Sequence, residues 1–594
     1  MDQPLSQESN RLSTTFVVFE PRRSLSSLLT FARTHAAELV SGALLAIMSL
    51  QMFAVIWRKS ITVDEIVMIP SAYYHLVDAD FQLVNEHPAL PKILAALPLL
   101  FVQPNETAWD PTSSKTVEDF KWERMNRFWD LNGNKFQSIS FWARVPMILL
   151  TVGLGILIFL FARTLFGPRT AVLAVALFSL EPTILGHGRV VQTDGPAAFG
   201  YLLFFLALYF YTSETTWRRA VCLGAAVGIA LLTKYSMLLV GLVLAPTLVV
   251  LWWRTSWRRA VPVQTAIIAL TMLVVINAAY YFKLPALTDD DYRWLAVNFR
   301  SHAQGVTTLI QSLSYIVPKE FLLGICFQIV HNRNGHSASL LGMYSQTGWW
   351  YYFPVALLLK TTIPLLLMSF VSVFWAVVRM IRHRDLRFMW LLIPAAVYMI
   401  FVLFSNIDIG VRYMLPLLPF IIILCAWMLD ELLKMKGRTV GIAAMVLLLG
   451  WTVIEAMRAY PNHIVYMNQF ASRAPHWWYL SDSNVEWGDD LHELAQYLKE
   501  RGERRVLDAT LGGFGILPFY GIECGDALDK QRDKSQDPTY IAVGASYLNG
   551  STIPEGPTGS GRDTVTSRVN FFDEYRHRQP EAIIGGSIYV FRVR

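Results

Sequence analysis

Two adjacent carboxylates, Asp64 and Glu65, stand a few residues beyond the first strongly apolar stretch of a 594-residue chain, which ends at Trp57-Arg58-Lys59. One role for such a pair is local. Thr62-Val63-Asp64-Glu65 fits the S/T-x-x-E capping box, which closes the first turn of a helix. The other role is catalysis, and more ionisable residues recur between the apolar runs. "NEHPALPKILAALPLL" supplies Glu86, His87 and Lys92, and "GHGRVVQTDGP" supplies His187, Arg189 and Asp194. Lys234 follows a further apolar run, "NIDIGVRYMLP" carries Asp408, Arg412 and Tyr413, and His331, Arg333 and His336 precede the aromatic run Trp349–Tyr352.

Each of these residues also has a structural reading. Asp194 precedes Gly195-Pro196 and suits a helix N-cap. Trp349 to Tyr352 suit an interfacial aromatic belt, and Arg412 suits a snorkelling anchor. Lys360 lies well inside an apolar run, where internal pairing or a lipid phosphate is expected. Glu86 beside His87 is too small a set for a metal site. As a group, these residues suit one chemistry. When a sugar is transferred from a lipid phosphate, the phosphate leaves with its charge stabilised by cations, while one carboxylate takes the proton of the attacking hydroxyl. That pattern differs from the paired carboxylates of a water-using glycosidase, and attack opposite the leaving group inverts the anomeric centre.

The elements that must position these residues are membrane spans. The chain is 54% hydrophobic and 16% charged, against about 25% charged in soluble domains. Apolar runs near the length of a bilayer crossing fall at 39–57, 142–162, 171–186, 196–212, 219–233, 236–253, 261–282, 352–378, 389–405, 411–430 and 439–457. A twelfth run, 89–103, is short and holds Pro91, Lys92 and Pro98. If it does not cross, Arg11, Arg22, Arg23 and Arg33 share one side with the loops carrying Arg163/Arg169, Arg218/Arg219, Arg254/Arg258/Arg259, Arg379/Arg382/Arg384/Arg387 and Lys434/Lys436/Arg438, as the positive-inside rule requires. The expectation is eleven spans with 89–103 as a juxtamembrane helix. The first span stays as an anchor, with no cleaved signal peptide. The +6 net charge is read loop by loop, so no nucleic-acid partner is implied, and the four scattered cysteines form no C-x-x-C.

The expected organisation is a cytoplasmic tail (1–38), a transmembrane domain (39–457) with outer loops at 58–141 and 283–351, and a C-terminal outer region (458–594). That last region alternates strand-like runs at 505–507, 540–543 and 587–591 with a helical run at 488–501, as a small α/β domain does.

Asp64-Glu65 followed by "NEHPALPKILAALPLL" resembles the D-E … H-P-P-L pattern of GT-C membrane glycosyltransferases, nearest the protein O-mannosyltransferases and the aminoarabinose transferases that modify lipid A. "ARVPMILLTVGLGILIFLFARTLFGPRTAVLAVALFSLEPTILGHGRVVQTDGP", "WWYYFPVALLLKTTIPLL", "NIDIGVRYMLPLLPF" and "DSNVEWGDDLHELAQYLKERG" resemble later segments of that family. Ala89 departs from the pattern, standing where a second proline is common. The resemblance implies an α-helical GT-C bundle of about eleven transmembrane helices with outer juxtamembrane helices and a small C-terminal α/β periplasmic domain, in the bacterial inner membrane. It implies transfer of a monosaccharide from a polyprenyl-phosphate donor to a protein, glycolipid or polysaccharide acceptor. Asp64, Glu65 and Asp194 are then the catalytic candidates, with Asp64 as base. Lys92, in the segment after His87-Pro88, is the expected donor-phosphate contact from the first loop; Arg189, Lys234 and Arg412 are further expected phosphate contacts on charge and topology, and Glu86, His87 and Tyr413 are expected to line the substrate cavity. No metal or other cofactor is implied, the oligosaccharyltransferases of the superfamily being the metal-dependent branch. Competing readings are a lipid-linked substrate transporter or flippase, a metal-dependent oligosaccharyltransferase, and a non-catalytic assembly protein in which Asp64 and Glu65 only cap a helix.

Overall fold

A computed structural model describes residues 34–106, 117–254, 260–435, 437–529, 532–553 and 568–593. The N-terminal arginines up to Arg33, Arg258, Arg259, Lys436 and the loop-like tract Pro554–Gly561 lie outside them. Among the described residues, eight helices are long and apolar enough to cross a membrane, and the chain is a multi-pass membrane protein. The other three expected spans form shorter helices, Pro168–Leu180, Trp217–Thr233 and Leu418–Leu432, of 13, 17 and 15 residues. The run 352–378 is interrupted: Tyr352–Lys360 ends at Thr361, and a new helix starts at Ile363 with Pro364 in its first turn, where a missing N–H costs nothing.

The segment 89–103 folds as two short helices, Ala89–Ala96 and Leu99–Val102, and does not cross. The chain before and after it lies at the same end of the bundle. Arg124 pairs with Asp78 and Asp80, and Asn132 accepts a hydrogen bond from the Asn105 amide at 2.6 Å. The loops assigned to the opposite side also converge. Arg163 meets Glu38, Arg169 approaches Asp430 at 3.6 Å, Lys434 pairs with Asp430 at 2.6 Å and Arg379 reaches Glu431 at 3.4 Å. The two sets of loops therefore occupy two separate ends of the bundle.

Glycines bring some of these helices unusually close. Gly224 and Gly228, a G-x-x-x-G pair on Trp217–Thr233, face the helix Ala260–Ala279; a Cβ on Gly224 would lie 2.5 Å from the Ile268 carbonyl oxygen, and one on Gly228 2.8 Å from Val275 Cβ. Small residues permit such approach where lipid offers no hydrophobic drive for association.

The middle outer loop holds three helices, Asp289–Phe299, Ala303–Leu313 and Lys319–Asn334, and a hairpin, Ala338–Leu340 with Met343–Ser345. The C-terminal region forms a five-stranded sheet. Arg505–Ala509 runs parallel to Glu523–Asp526 and Tyr540–Gly544, while Ile588–Arg592 is antiparallel to Tyr540–Gly544 and Ala582–Ile584. The amphipathic helix Leu491–Glu500 packs its Leu491, Leu494, Ala495 and Leu498 beneath the sheet.

Replacing Gly224 with Val should destabilise the bundle by about 1–3 kcal/mol, the usual cost of overpacking a tight contact. Thermal unfolding in detergent measures it, and an unchanged Tm would show that these two helices do not pack this closely.

Candidate active site

The helix Val63–Val77 begins at the mouth of the bundle, and its first turn separates the two acids. Glu65 turns inward and is fully buried. Its Oε2 accepts from the Thr62 amide at 2.8 Å and the Thr62 hydroxyl at 3.1 Å, so the capping box is present. Arg144 donates to both carboxylate oxygens, through Nε at 2.7 Å and Nη2 at 2.5 Å, and the Val191 amide donates to Oε1 at 2.9 Å. With five donors on two oxygens, Glu65 has no capacity left for substrate. Glu65, expected among the catalytic candidates, is thus held inside the protein and turned away from the mouth of the bundle.

Asp64 points the other way. Its Oδ2 accepts from Arg412 Nη1 at 2.8 Å and Gln192 Nε2 at 2.6 Å. Oδ1 accepts no hydrogen bond among the described residues, and the side chain is 29% exposed. Arg412 is shared by three carboxylates: beyond Asp64, its Nε lies 3.8 Å from Asp194 and its Nη2 3.9 Å from Asp482. Its guanidinium lies over Trp487, 4.2 Å from the ring centroid. Lys234 pairs with Asp194 at 2.5 Å and lies 3.6 Å over the Tyr413 ring. The cluster thus holds three carboxylates against two cations, closed from below by aromatic faces.

Electrostatics separate the acids. Burial raises the Asp64 carboxyl, but the charge and hydrogen bond of Arg412, with His87 and Gln192, outweigh it and hold Asp64 below its ordinary value. Asp482 goes the other way: burial raises it, and Arg412 and His336 oppose that only in part. Asp482 also sits at φ +53°, in the left-handed region that Asp tolerates better than most residues. The His87 imidazole is pushed down to about 4 by burial, against the pull of Glu86 and Asp64, so it stands neutral beside the cluster.

Other expected site residues fall elsewhere. Lys92, 1% exposed, donates to the carbonyls of Leu83 and Val84 at 3.2 and 3.3 Å and braces the loop around His87. Arg189 is fully buried and donates to Asp489 at 3.1 Å, which makes it a joint between its loop and the C-terminal region. Both expected phosphate contacts have buried side chains turned toward protein groups. Glu86 is half-buried, its carbonyl accepting from Gln328 at 2.9 Å. Tyr352, read as a belt aromatic, is fully buried, while Trp350 is exposed.

Sequence reasoning set the segment 482–487 among the family-like stretches but did not place it at the site. Asn484 accepts from the Val411 amide at 2.9 Å and donates to the Tyr352 hydroxyl at 2.8 Å, and Ser483 donates to the Ile409 carbonyl at 2.6 Å. Lys360, the puzzling intramembrane cation, donates to the Ile464 and Asn484 carbonyls at 2.6 Å each. Residues 482–487 thereby fix the backbone that carries Arg412. Besides that resemblance, its local signal was that "DSNVEWGDD" packs four acids into nine residues.

These features define a polytopic membrane protein with an ionic site at one end of its helical bundle. Residues 133–281, about a quarter of the chain, match the family model described as dolichyl-phosphate-mannose-protein mannosyltransferase, and over that stretch the resemblance to GT-C glycosyltransferases holds. The stretch includes Gln192, Asp194 and Lys234; Asp64 and Arg412 lie outside it. Among solved structures, the chain is similar to ArnT from Cupriavidus metallidurans bound to undecaprenyl phosphate, at 16% identity over 81% of this chain and 73% of that one, with a TM-score of 0.45. It is also similar to the apo oligosaccharyltransferase of Archaeoglobus fulgidus, at 12% identity over 86% and 70% of the two chains, with a TM-score of 0.43. For AglB of the same organism, with an inhibitory peptide and a dolichol-phosphate, the identity is 11% over 85% and 69%, with a TM-score of 0.44. No curated protein matches the chain in sequence.

Removing one partner of a buried ion pair costs about 3–5 kcal/mol, because the other charge is left uncompensated. Glu65→Ala should therefore lower Tm sharply, and Glu65→Ala/Arg144→Met should recover part of the loss. A double variant no more stable than the single one would show that the pair is not the source of the effect.

Proposed function

We propose that the chain transfers a monosaccharide from a polyprenyl-phosphate donor to an acceptor hydroxyl at the outer face of a bacterial inner membrane, with Asp64 as general base. One observation carries this reading: Asp64 has one oxygen clamped by Arg412 and Gln192 while the other stays open. A carboxylate so oriented, with two cations within the same cluster, meets the needs of both ends of the reaction. The acceptor O–H places its proton on Asp64 Oδ1 as its oxygen bonds to the anomeric carbon. The bond from that carbon to the phosphate oxygen breaks on the opposite face, so the product has inverted configuration. The leaving phosphate gains charge, which Arg412 and Lys234 are placed to stabilise.

The arriving phosphate competes with Asp64 for Arg412. Losing that pairing raises the basicity of Asp64 just when it must accept a proton, so the donor prepares its own base. Asp194 keeps Lys234 in place over Tyr413 during this exchange. The reading gives charge stabilisation to side-chain cations rather than to a divalent metal; activity abolished by chelation and restored by metal would overturn that part.

Asp64→Asn should abolish transfer of radiolabelled sugar from a polyprenyl-phosphate donor in membranes while leaving expression and Tm near wild type, since Asp64 makes few structural bonds. Near-normal turnover by this variant sinks the assignment. The pH profile tests the coupling. With Arg412 holding Asp64 below the usual carboxylate range, the base is ionised throughout the neutral range, and kcat/KM falls only as pH drops below that range. Arg412→Gln removes the depression, so its remaining activity should show an acid limb shifted to higher pH. An unmoved limb would mean that Arg412 does not set the ionisation of Asp64.

A further inference from the structure

Open α/β sheets bind their ligands beyond the carboxyl ends of the strands, at the point where the strand order reverses. The C-terminal sheet has such a point. From Arg505–Ala509 the chain passes to Glu523–Asp526 on one side, while Tyr540–Gly544 lies parallel on the other. A side chain of the protein itself fills this crevice. Glu486 is fully buried; its Oε1 accepts from the Leu511 amide at 2.7 Å and its Oε2 from the Ser546 amide at 2.9 Å. Leu511 follows the first strand and Ser546 the second, so one carboxyl group bridges the ends of both. A Cβ on Gly544 would collide with that carboxyl group, so the close approach requires glycine.

What Glu486 anchors is the turn beside the Asp64 cluster. Its own amide donates to the Asp482 carbonyl at 3.0 Å, and the Val485 amide does so at 2.9 Å. Asp482 stands at φ +53°, and a non-glycine residue stays there only when its surroundings over-determine it. Its carboxylate lies 3.9 Å from Arg412 and 3.8 Å from His336. Trp487 presents its ring to the Arg412 guanidinium and its carbonyl to the Val63 amide at 2.9 Å. One buried side chain thus connects the sheet to two groups beside Arg412 and to the helix that carries Asp64.

Burial pushes the Glu486 acid up to about 8, Asp508 and Asp482 add to that, and the two amides oppose it. The seat survives either protonation state, since each carboxyl oxygen keeps a lone pair for an amide. A glutamine has one acceptor oxygen and would meet the second amide with an N–H of its own. We propose that Glu486 is a positioning residue for the transfer site: seated in the crevice of the C-terminal sheet, it holds the turn 482–487 so that Asp482 and Trp487 keep Arg412 directed at Asp64. The sheet then acts as a clamp on the site. The consequence for catalysis rests on the transfer reaction proposed for the Asp64 cluster; the seating of the turn does not.

The test compares the full chain and Glu486→Gln in detergent by amide hydrogen exchange read by mass spectrometry, alongside transfer kinetics. Exchange should rise several-fold in peptides covering 482–487, Val63 and Val411, whose amides bond to Trp487 and Asn484, while the strands 505–509 and 540–544 stay protected. For transfer, kcat should fall several-fold with the donor KM little changed, because the charge that Arg412 meets develops in the transition state. Unchanged exchange at Val63 and Val411, or an equal rise in the strands, overturns the clamp. A loosened turn with unchanged kcat overturns the positioning role. Should Glu486→Gln fail to fold, the wild-type chain decides: slow exchange of the Leu511 and Ser546 amides is expected, and fast exchange there refutes the seat. Near-normal turnover by Asp64→Asn would instead count against the transfer reaction, and exchange at Val63 and Val411 would still decide the clamp.

Discussion

The buried ion pair of Glu65 with Arg144 is the constraint on which the rest of the site depends. Arg144 lies in the long helix Phe136–Phe166, Glu65 in the first turn of the outer helix, and both are at most 1% exposed. A charge so deep must be met by opposite charge and by hydrogen bonds on every available lone pair, or it is driven out. Meeting that demand draws in the Thr62 amide, the Val191 amide and, through Arg144, the Ser60 carbonyl at 2.7 Å. Three chain segments are thus fixed around one carboxylate. Helical periodicity then turns its neighbour, Asp64, to face the mouth of the bundle.

The same joint ties the outer C-terminal region to the membrane. The Ser60 and Val63 amides donate to the Asp489 and Trp487 carbonyls at 2.9 Å each, Lys59 pairs with Asp490, and Arg189 pairs with Asp489. Trp487 then lies against the Arg412 guanidinium, and Asn484 holds the backbone beside it. The C-terminal region is therefore part of the site's foundation, whatever else its sheet does. A planar guanidinium with five donors is the group best able to serve three carboxylates at once.

Much of the architecture was legible because hydropathy and charge are properties of composition along the chain. The spans, the exclusion of 89–103, the strand-like runs at 505–507, 540–543 and 587–591, each of which falls on a strand, and the capping box all follow from runs, periods and local spacing. The break after Lys360 was harder to read, since the residues on both sides stay apolar and only Pro364 marks it. The strands Glu523–Asp526 and Ala582–Ile584 lacked an apolar alternation strong enough to announce them.

Sequence by itself determined that carboxylates and cations would gather at one end of an apolar bundle, because charge cannot stay in hydrocarbon and the arginine-rich loops fix which ends are shared. It also narrowed the double acid to two residues with different roles available. Tertiary structure alone decided which cations face Asp64. Lys92, Arg189, Lys234 and Arg412 are alike in charge and topology, yet Lys92 reaches the Leu83 and Val84 carbonyls and Arg189 reaches Asp489, while Lys234 and Arg412 stand in the cluster. The difference lies in side-chain direction and in partners hundreds of residues away, such as Trp487 and Asn484, and a pairing over that distance leaves no mark in local spacing.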